Sequence, residues 1–568
     1  MDLDKFSALD IFLFAITFLL SAVIGLYHGC RSRRANTREE YLLGGRKLGL
    51  FPVTASLVAT AVSGSTLLGQ AAEVYVYGTQ AWLLAGVCYI MSIIVPIVYL
   101  PVFLEVGELS SFKYLELRFS RSVRIFASVL YSIVSLLFLS VTVYVPALAV
   151  HEFTGVSVHL TTGLLTIVCV FYTAIGGIKA VVWTDVFQIT LTLVSSIIVV
   201  IVGAQQVGGF GKVYEATNRG GRLVFFNLDP DPTVRSTFWE YLFSMTLVAI
   251  YQFGISQTST QRFLALSDLR KMRLALWGLT LFFTIFLLLS QTIGAIIFTT
   301  YETCDPFKAG LIRKIDQILP HYIERTASVL PGFSGIFIAG IFCASLSSTS
   351  SFLNTLSGSI YDDFLSRRFR NASEAKASNI VKFIVVILGI VQMFLLLLIE
   401  KLGTIFNMTA QCLVLATSAL LGLFTLGMLC RRVNTRGALA GSIVSVVAIS
   451  ILTIGGLYKS RDPFLPLRTD GCDPEIFNAT TLPQTPVEST DGSDIPWVFK
   501  IHFLYHALIG FSLNLIVGYV VSVLTGGNPS VDEKLLARFL RRTQKGEEEV
   551  KLNDVNGENG KVLFFRSE

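Results

Sequence analysis

Apolar residues run along this chain in blocks of about twenty, separated by short charged or glycine-rich stretches. Thirteen blocks stand out, near 11–27, 49–71, 81–103, 124–150, 158–178, 183–206, 237–257, 273–300, 332–358, 380–400, 406–430, 436–458 and 500–524. A helix needs about twenty such residues to cross the hydrocarbon core of a bilayer. Only helices and closed barrels can satisfy every backbone N–H and C=O there. The pattern therefore predicts an all-α polytopic membrane protein with 13 spans. No small-residue cleavage site follows the first block, and Arg31, Arg33 and Arg34 do. That block reads as a retained helix and not as a signal peptide.

Three stretches depart from plain hydrophobicity. The first is Ile341–Ser359, where Ser345, Ser347, Ser348, Thr349, Ser350 and Ser351 crowd one helix. Hydroxyls at such density either let helices pack closely or line a polar cavity. The second is the Ser63-Gly64-Ser65-Thr66 step in the middle of the block at 49–71. A helix unwound there frees carbonyls, tolerated in a membrane only where they face a cavity or a ligand. The third is Gln252–Thr260, a similar weak point five helices later. A pair of interrupted helices in corresponding positions points to inverted repeats. These would occupy 49–206 and 237–430, preceded by an extra helix and basic loop (1–48). Two extra helices (431–524) and a tail (525–568) would follow.

The hydroxyl run and the first interruption suggest one site. Carbonyls of Ala59, Val62 and Ala344 with hydroxyls of Ser347 and Ser348 make five neutral oxygens, a set suited to Na⁺ and short of the carboxylates that Ca²⁺ requires. No Cys/His spacing suggests zinc, and the six histidines form no cluster. An enzyme would need a nucleophile–base set or metal ligands at mid-membrane, and none is visible. No catalytic residue is therefore assigned.

Charge then orients the chain. Only 15% of residues are charged, against about 25% in soluble domains. The net +6 comes from Lys/Arg clusters in short loops, at 31–47, 113–124, 262–273, 367–376 and 431–436, and is no argument for nucleic acid. By the positive-inside rule these loops are cytoplasmic and the N-terminus is outside. The longer loops 207–236, 301–331 and 459–499 then face outward. Asn478 in Asn478-Ala479-Thr480 is a glycosylation acceptor there. Cys304 and Cys472 are both outside, either as free thiols or as a disulfide. Val531–Thr543 is amphipathic and basic, suited to a short helix on the inner leaflet or in solvent.

A set of motifs carries a family resemblance over about 41–436. In order they are Gly44-Gly45-Arg46, Glu73-Val74-Tyr75-Val76-Tyr77-Gly78, Tyr144-Val145-Pro146-Ala147-Leu148 and Gly176-Gly177-Ile178-Lys179-Ala180-Val181-Val182-Trp183-Thr184-Asp185. Gln261-Arg262, Cys304-Asp305-Pro306, Asp316-Gln317-Ile318-Leu319-Pro320 and Ala344-Ser345-Leu346-Ser347-Ser348 follow. The chain resembles the sodium–solute symporter family, in the branch of the iodide, monocarboxylate and multivitamin transporters. The resemblance implies the leucine-transporter-type fold and Na⁺-driven uptake by alternating access. It also implies a Na⁺ site at the five positions above, with substrate and a further Na⁺ contacted from Ser63, Thr66 and Tyr144. Thr66 stands where the iodide transporter has glutamine, which argues against iodide. Gly69-Gln70-Ala71-Ala72 replaces the Gly-x-Pro-Ser typical of the branch.

Of the other polar residues, Gln252 and Gln411 lie inside apolar blocks, either bonding a neighbouring helix or contacting substrate. Glu73 and Glu105 lie at the ends of spans rather than mid-membrane, where interfacial solvation is expected. Asp185 is either a gate carboxylate pairing an arginine of an inner loop or a helix-start carboxylate. The expected activity is Na⁺-coupled import of a small organic anion, a monocarboxylate first, across the plasma membrane. Biotin- or pantothenate-like vitamins are the alternative substrates. A channel or non-transporting sensor on the same scaffold is the alternative of another class.

Overall fold

The computed structural model describes residues 8–32, 37–326, 332–399, 411, 413–456, 462–473, 496–527 and 530–541. The main helices are α1 (Ala8–Ser32), α2 (Leu50–Ala61), α3 (Gly64–Tyr77), α4 (Leu83–Val98), α5 (Arg121–Thr154) and α6 (Val158–Gln206). They continue with α7 (Gln257–Leu264), α8 (Leu269–Thr300), α9 (Phe333–Ile360), α10 (Glu374–Ile399), α11 (Gly422–Leu429), α12 (Thr435–Gly456) and α13 (His506–Leu524). Among the described residues nine helices are long and apolar enough to cross a membrane, and the bent α2–α3 pair makes a tenth. The protein is a mostly helical, multi-pass membrane protein. Asn478 lies outside the described residues.

Three departures from straight helices matter. α6 spans 49 residues, about 74 Å at the α-helical rise and more than twice the bilayer core. Gly177 breaks it at φ 58, ψ −157, a conformation that side chains disfavour. Between Trp239 and α7 the chain winds as two π-helical stretches, Glu240–Met245 and Ile250–Ile255, and leaves helical geometry at Ser256. π-turns leave carbonyls without their usual partners and cluster at functional sites. Here the Gln252 carbonyl accepts the hydroxyls of Ser256 and Ser259 at 2.8 and 2.7 Å. Finally, α2 and α3 meet at a 53° bend over Val62 and Ser63.

The interior is unusually polar. α9 is buried from Phe333 to Asn354 except at Ile336 and Phe352, carrying its whole hydroxyl run with it. It packs against α6, α5 and α1. Most of its hydroxyls are satisfied within the helix, as Thr349 to the Ser345 carbonyl (2.7 Å) and Ser350 to that of Ser347 (3.1 Å). Such back-bonding removes the cost of burying a hydroxyl.

Each end of the bundle is closed by ion pairs. At the end bearing the short basic loops, Arg124 grips Asp363 (2.6 Å) and Glu116 (2.5 Å), and Arg38 grips Asp362 (2.5 Å). The tail forms no amphipathic helix over its described part. It makes two short 3₁₀ turns that bury Leu535, Leu536 and Ala537 against protein. Arg538 and Arg541 pair with Glu105, and Arg431 with Glu533. Its apolar side finds a protein surface, which removes the reason to lie on lipid.

At the opposite end Cys304 and Cys472 form a disulfide. Glu73, which the sequence reading places in interfacial solvent, is instead buried under Arg235, with bonds of 3.0 and 2.7 Å. Arg235 also reaches Asp462 at 3.3 Å and lies over the Tyr77 ring. Burial alone would lower its pKa, but the charge and hydrogen bonds of Glu73 together with the nearby Tyr77 and Asp462 raise it. The guanidinium stays charged.

Gly177 supplies the sharpest test of the backbone. A methyl added there would sit 2.7 Å from the Tyr41 carbonyl oxygen, on a backbone whose strain with a side chain is of order 1–3 kcal/mol. Gly177→Ala should lower thermal stability of the detergent-solubilised protein measurably, whereas Gly211→Ala, which has open space, should not.

Candidate functional site

The bend between α2 and α3 is built from small residues. Val62 caps α2 with φ −95, ψ 100, which turns its carbonyl out of the helix. Ser63 starts α3, its hydroxyl accepting the Thr66 N–H (3.3 Å) and contacting the Ser65 and Thr66 hydroxyls. Gly64 is required for approach: a Cβ there would lie 2.7 Å from Ser345 Oγ. The broken helix therefore presses directly on the hydroxyl run of α9.

At this contact the oxygens converge. Ser347 Oγ lies 2.9 Å from the Ala59 carbonyl and 2.9 Å from that of Ala344. Ser348 Oγ lies 3.2 Å from the Ala344 carbonyl and 3.4 Å from that of Thr60. Two hydroxyl protons thus face three carbonyl oxygens, so lone pairs outnumber protons. A hard cation about 2.4 Å from octahedral oxygens keeps adjacent ones about 3.4 Å apart, so the oxygens here, 2.9–3.4 Å apart and hydrogen-bonded, would spread by up to about 0.5 Å to take it. No carboxylate joins the set. Among the described residues no cluster of His, Cys, Asp or Glu could hold a transition metal. The donor chemistry fits a monovalent cation that binds and leaves.

Four of the five expected ligand positions share this contact, and Val62 forms the break beside it. Thr60 is a position that sequence reasoning missed, although its spacing from Ser56 places both on one stripe of α2. Its hydroxyl meets Ser351 Oγ at 3.0 Å.

Ser351 leads to a buried ion pair. It bonds the Arg262 guanidinium, which also donates to Ser56 Oγ (2.8 Å) and the Thr258 carbonyl (2.8 Å). Asp185 accepts from Ser56 Oγ at 2.5 Å and lies 3.7 Å from Arg262. Both charged residues are under 3% exposed. The arginine facing Asp185 is the one in the Gln261-Arg262 motif. Hydroxyls of Ser56 and Ser351 complete the cluster, and this polar chain reaches the oxygen set through Thr60.

A cavity opens on the other side of Thr60. Leu57, Thr60 and Ala61 of α2 line it together with Tyr131 and Ser135 of α5, Gln252 and Ser259 across the second interruption, and Phe352 of α9. Gln252 is thus at the cavity wall. Ser63, Thr66, Tyr144 and Gln411 are not among its lining residues. Tyr144 is buried on α5 and Gln411 is half-buried. No Lys or Arg lines the cavity among the described residues.

Comparison with known proteins defines the family. The model of the Sodium:solute symporter family matches residues 41–445. The sodium-coupled monocarboxylate transporter 2 of Homo sapiens is 32% identical over 544 residues, 95% of this chain and 87% of that protein. The sodium-dependent multivitamin transporter of Oryctolagus cuniculus is 32% identical over 92% of this chain and 83% of that one. In fold, a Na⁺-coupled sialic acid symporter in a substrate-bound outward-open state superposes with a TM-score of 0.73 at 23% identity. That alignment covers 91% of this chain and 98% of the other. The chain belongs to the sodium:solute symporter family, and it is a Na⁺-coupled membrane transporter rather than an enzyme.

Proposed function

We propose that the chain imports a small organic anion, a monocarboxylate first, by alternating access, with Na⁺ held at the α2–α9 contact. The observation that carries this reading is Thr60. Its carbonyl belongs to the oxygen cluster while its residue lines the cavity. Ion and solute would therefore order one element. Because the cavity wall lacks a basic side chain, the charge of an anion would be balanced by Na⁺. The names of the relatives support a carboxylate-bearing solute, with a vitamin acid as the second choice.

In this reading the fold is of the leucine-transporter type, with 13 spans and inverted repeats at 49–206 and 237–430. The breaks at Val62–Ser63 and at Ser256 are its two equivalent hinges. Ser63, Thr66, Tyr144, Gln252 and Gln411 serve the solute in one or another state of the cycle. The protein sits in the plasma membrane with its N-terminus outside, and its basic-loop end and tail in the cytoplasm. One Na⁺ falling through 60 mV contributes about 1.4 kcal/mol, and a tenfold gradient adds about 1.4 kcal/mol.

Asp185 and Arg262 then form the inner gate. They join α6 to the end of α7 on the basic-loop side of the ion cluster, and opening inward requires their separation. A pair without solvent is costly to break one-sidedly, about 3–5 kcal/mol when a single partner is removed.

Two measurements test these roles. Ser347→Ala and Ser348→Ala should each raise the Na⁺ concentration for half-maximal uptake about tenfold, equivalent to ~1.4 kcal/mol, with a smaller change in apparent solute affinity. Unchanged Na⁺ dependence in both variants would refute the site.

For the gate, Asp185→Asn and Arg262→Gln should each lower the melting temperature and slow uptake. The double variant should be less destabilised than the sum of the two. Additive losses in that double-mutant cycle would mean the two side chains do not act together.

A further inference from the structure

One polar cluster lies outside the oxygen set, the ion pair and the cavity. It sits between α3 and α8, farther along α3 from the bend. Gln70 Oε1, Ser290 Oγ and Gln291 Nε2 are fully buried and have no hydrogen-bond partner among the described residues. The residues are 6%, 1% and 6% exposed. Buried polar atoms without partners are rare, and each needs an explanation.

Helix geometry puts the three at one interface. A methyl on Gly294 would lie 2.5 Å from the Ala71 carbonyl oxygen and 2.9 Å from Val74 Cβ, so α8 packs on α3 at that point with nothing between. Ser290 and Gln291 are four and three residues before Gly294 and share its face. On α3, Gln70 adjoins Ala71 and precedes Val74 by four, so it borders the same seam. The residues Ser63, Thr66, Gln70 and Glu73 recur at intervals of three and four, forming one stripe of α3. That stripe runs from the bend to the Glu73–Arg235 pair at the disulfide end. Gln70 is its only member, among the described residues, with a buried polar atom lacking a partner.

We propose that Gln70, Ser290 and Gln291 form a subsite for the uncharged polar group of the solute, a hydroxyl near the carboxylate. An amide carbonyl, an amide N–H and a hydroxyl offer both an acceptor and donors without charge. A solute hydroxyl satisfies both kinds, whereas an alkyl chain leaves all three atoms orphaned. A site built to bond a hydroxyl rejects the analogue lacking it more strongly than an apolar pocket rejects an extra methylene. The subsite therefore sets which organic anions are accepted, and it rests on the reading above that the solute is a small carboxylate passing the bend.

The test uses the full chain in cells, with Na⁺-dependent uptake of two matched pairs: lactate against propionate, and 3-hydroxybutyrate against butyrate. The wild-type chain should favour the hydroxylated member in at least one pair by about tenfold in apparent affinity, equivalent to ~1.4 kcal/mol. Gln70→Leu and Gln291→Leu should each bring that ratio to within about twofold of one. Half-saturation by Na⁺ should stay unchanged, and Gln291→Asn should retain part of the preference, which a merely structural role would not produce. If one leucine variant fails to reach the surface, the other reports on the same seam from the opposite helix. A wild-type ratio near one in both pairs, or a ratio that survives both substitutions, overturns the subsite and leaves the Na⁺-coupled reading standing. Absence of Na⁺-dependent uptake for all four acids overturns the carboxylate reading, and the subsite with it.

Discussion

The structure depends on one interruption of backbone hydrogen bonding, the turn at Val62 and Ser63. A membrane helix cannot release carbonyls into lipid, because each unpaired group costs several kcal/mol there. The chain answers by bringing α9 against the break, where Ser347 and Ser348 approach the carbonyls of Ala59 and Thr60. The contact is close because Gly64 has no side chain to hold the helices apart. The same two hydroxyl protons are shared with the Ala344 carbonyl, so three oxygens face two protons. The remaining lone pairs are the ones the proposed Na⁺ would use, and the lack of a carboxylate suits reversible binding.

From this cluster polarity extends to the basic-loop end. Ser351 and Ser56 carry it to Arg262 and Asp185, which are excluded from solvent. A pair so deeply buried is weak evidence for stability, since desolvation consumes most of its attraction. In the gate role proposed for it, its value would lie in having two arrangements, joined or separated, with little between. The same element, Thr60, touches the ion oxygens, Ser351 and the cavity. A change in any one of the three alters the surroundings of the other two.

Much of this was legible in the sequence. The apolar blocks locate the helices, and Ser63-Gly64-Ser65-Thr66 locates the bend, since a small-residue step inside such a block has few other uses. The hydroxyl run of α9 was ambiguous between packing and ligation, and the structure divides it. Thr349, Ser350 and Ser357 bond within the helix, while Ser347, Ser348 and Ser351 also reach α2 or α7. Spacing alone could not make that division, because it depends on which neighbour lies opposite. For the same reason the partner of Asp185 could not be named: Arg262 is 77 positions away, and the four-residue stagger of Ser56 and Thr60 gains meaning only once α9 is beside α2. Glu73 and the tail were misplaced by a common assumption. Residues at the ends of spans were assigned to water or lipid, whereas Arg235, the short helix Leu100–Val106 and the end of α11 provide protein surfaces instead.

With Na⁺ and solute placed as proposed, ligand coupling follows from the sharing of Thr60. Coupling between two sites is a free energy and is reciprocal, so an ion that favours one arrangement of the bend must be favoured equally by a solute that does the same. A rigid helix would isolate the two sites, because its carbonyls would stay engaged in its own ladder whatever lay beside it. The interruption removes that ladder at the point where the cavity and the oxygen cluster adjoin. What makes the segment unstable on its own, freed backbone beside small residues, is therefore also what would let one ligand register the presence of the other. Restoring a continuous helix would strengthen α2–α3 and sever the two sites.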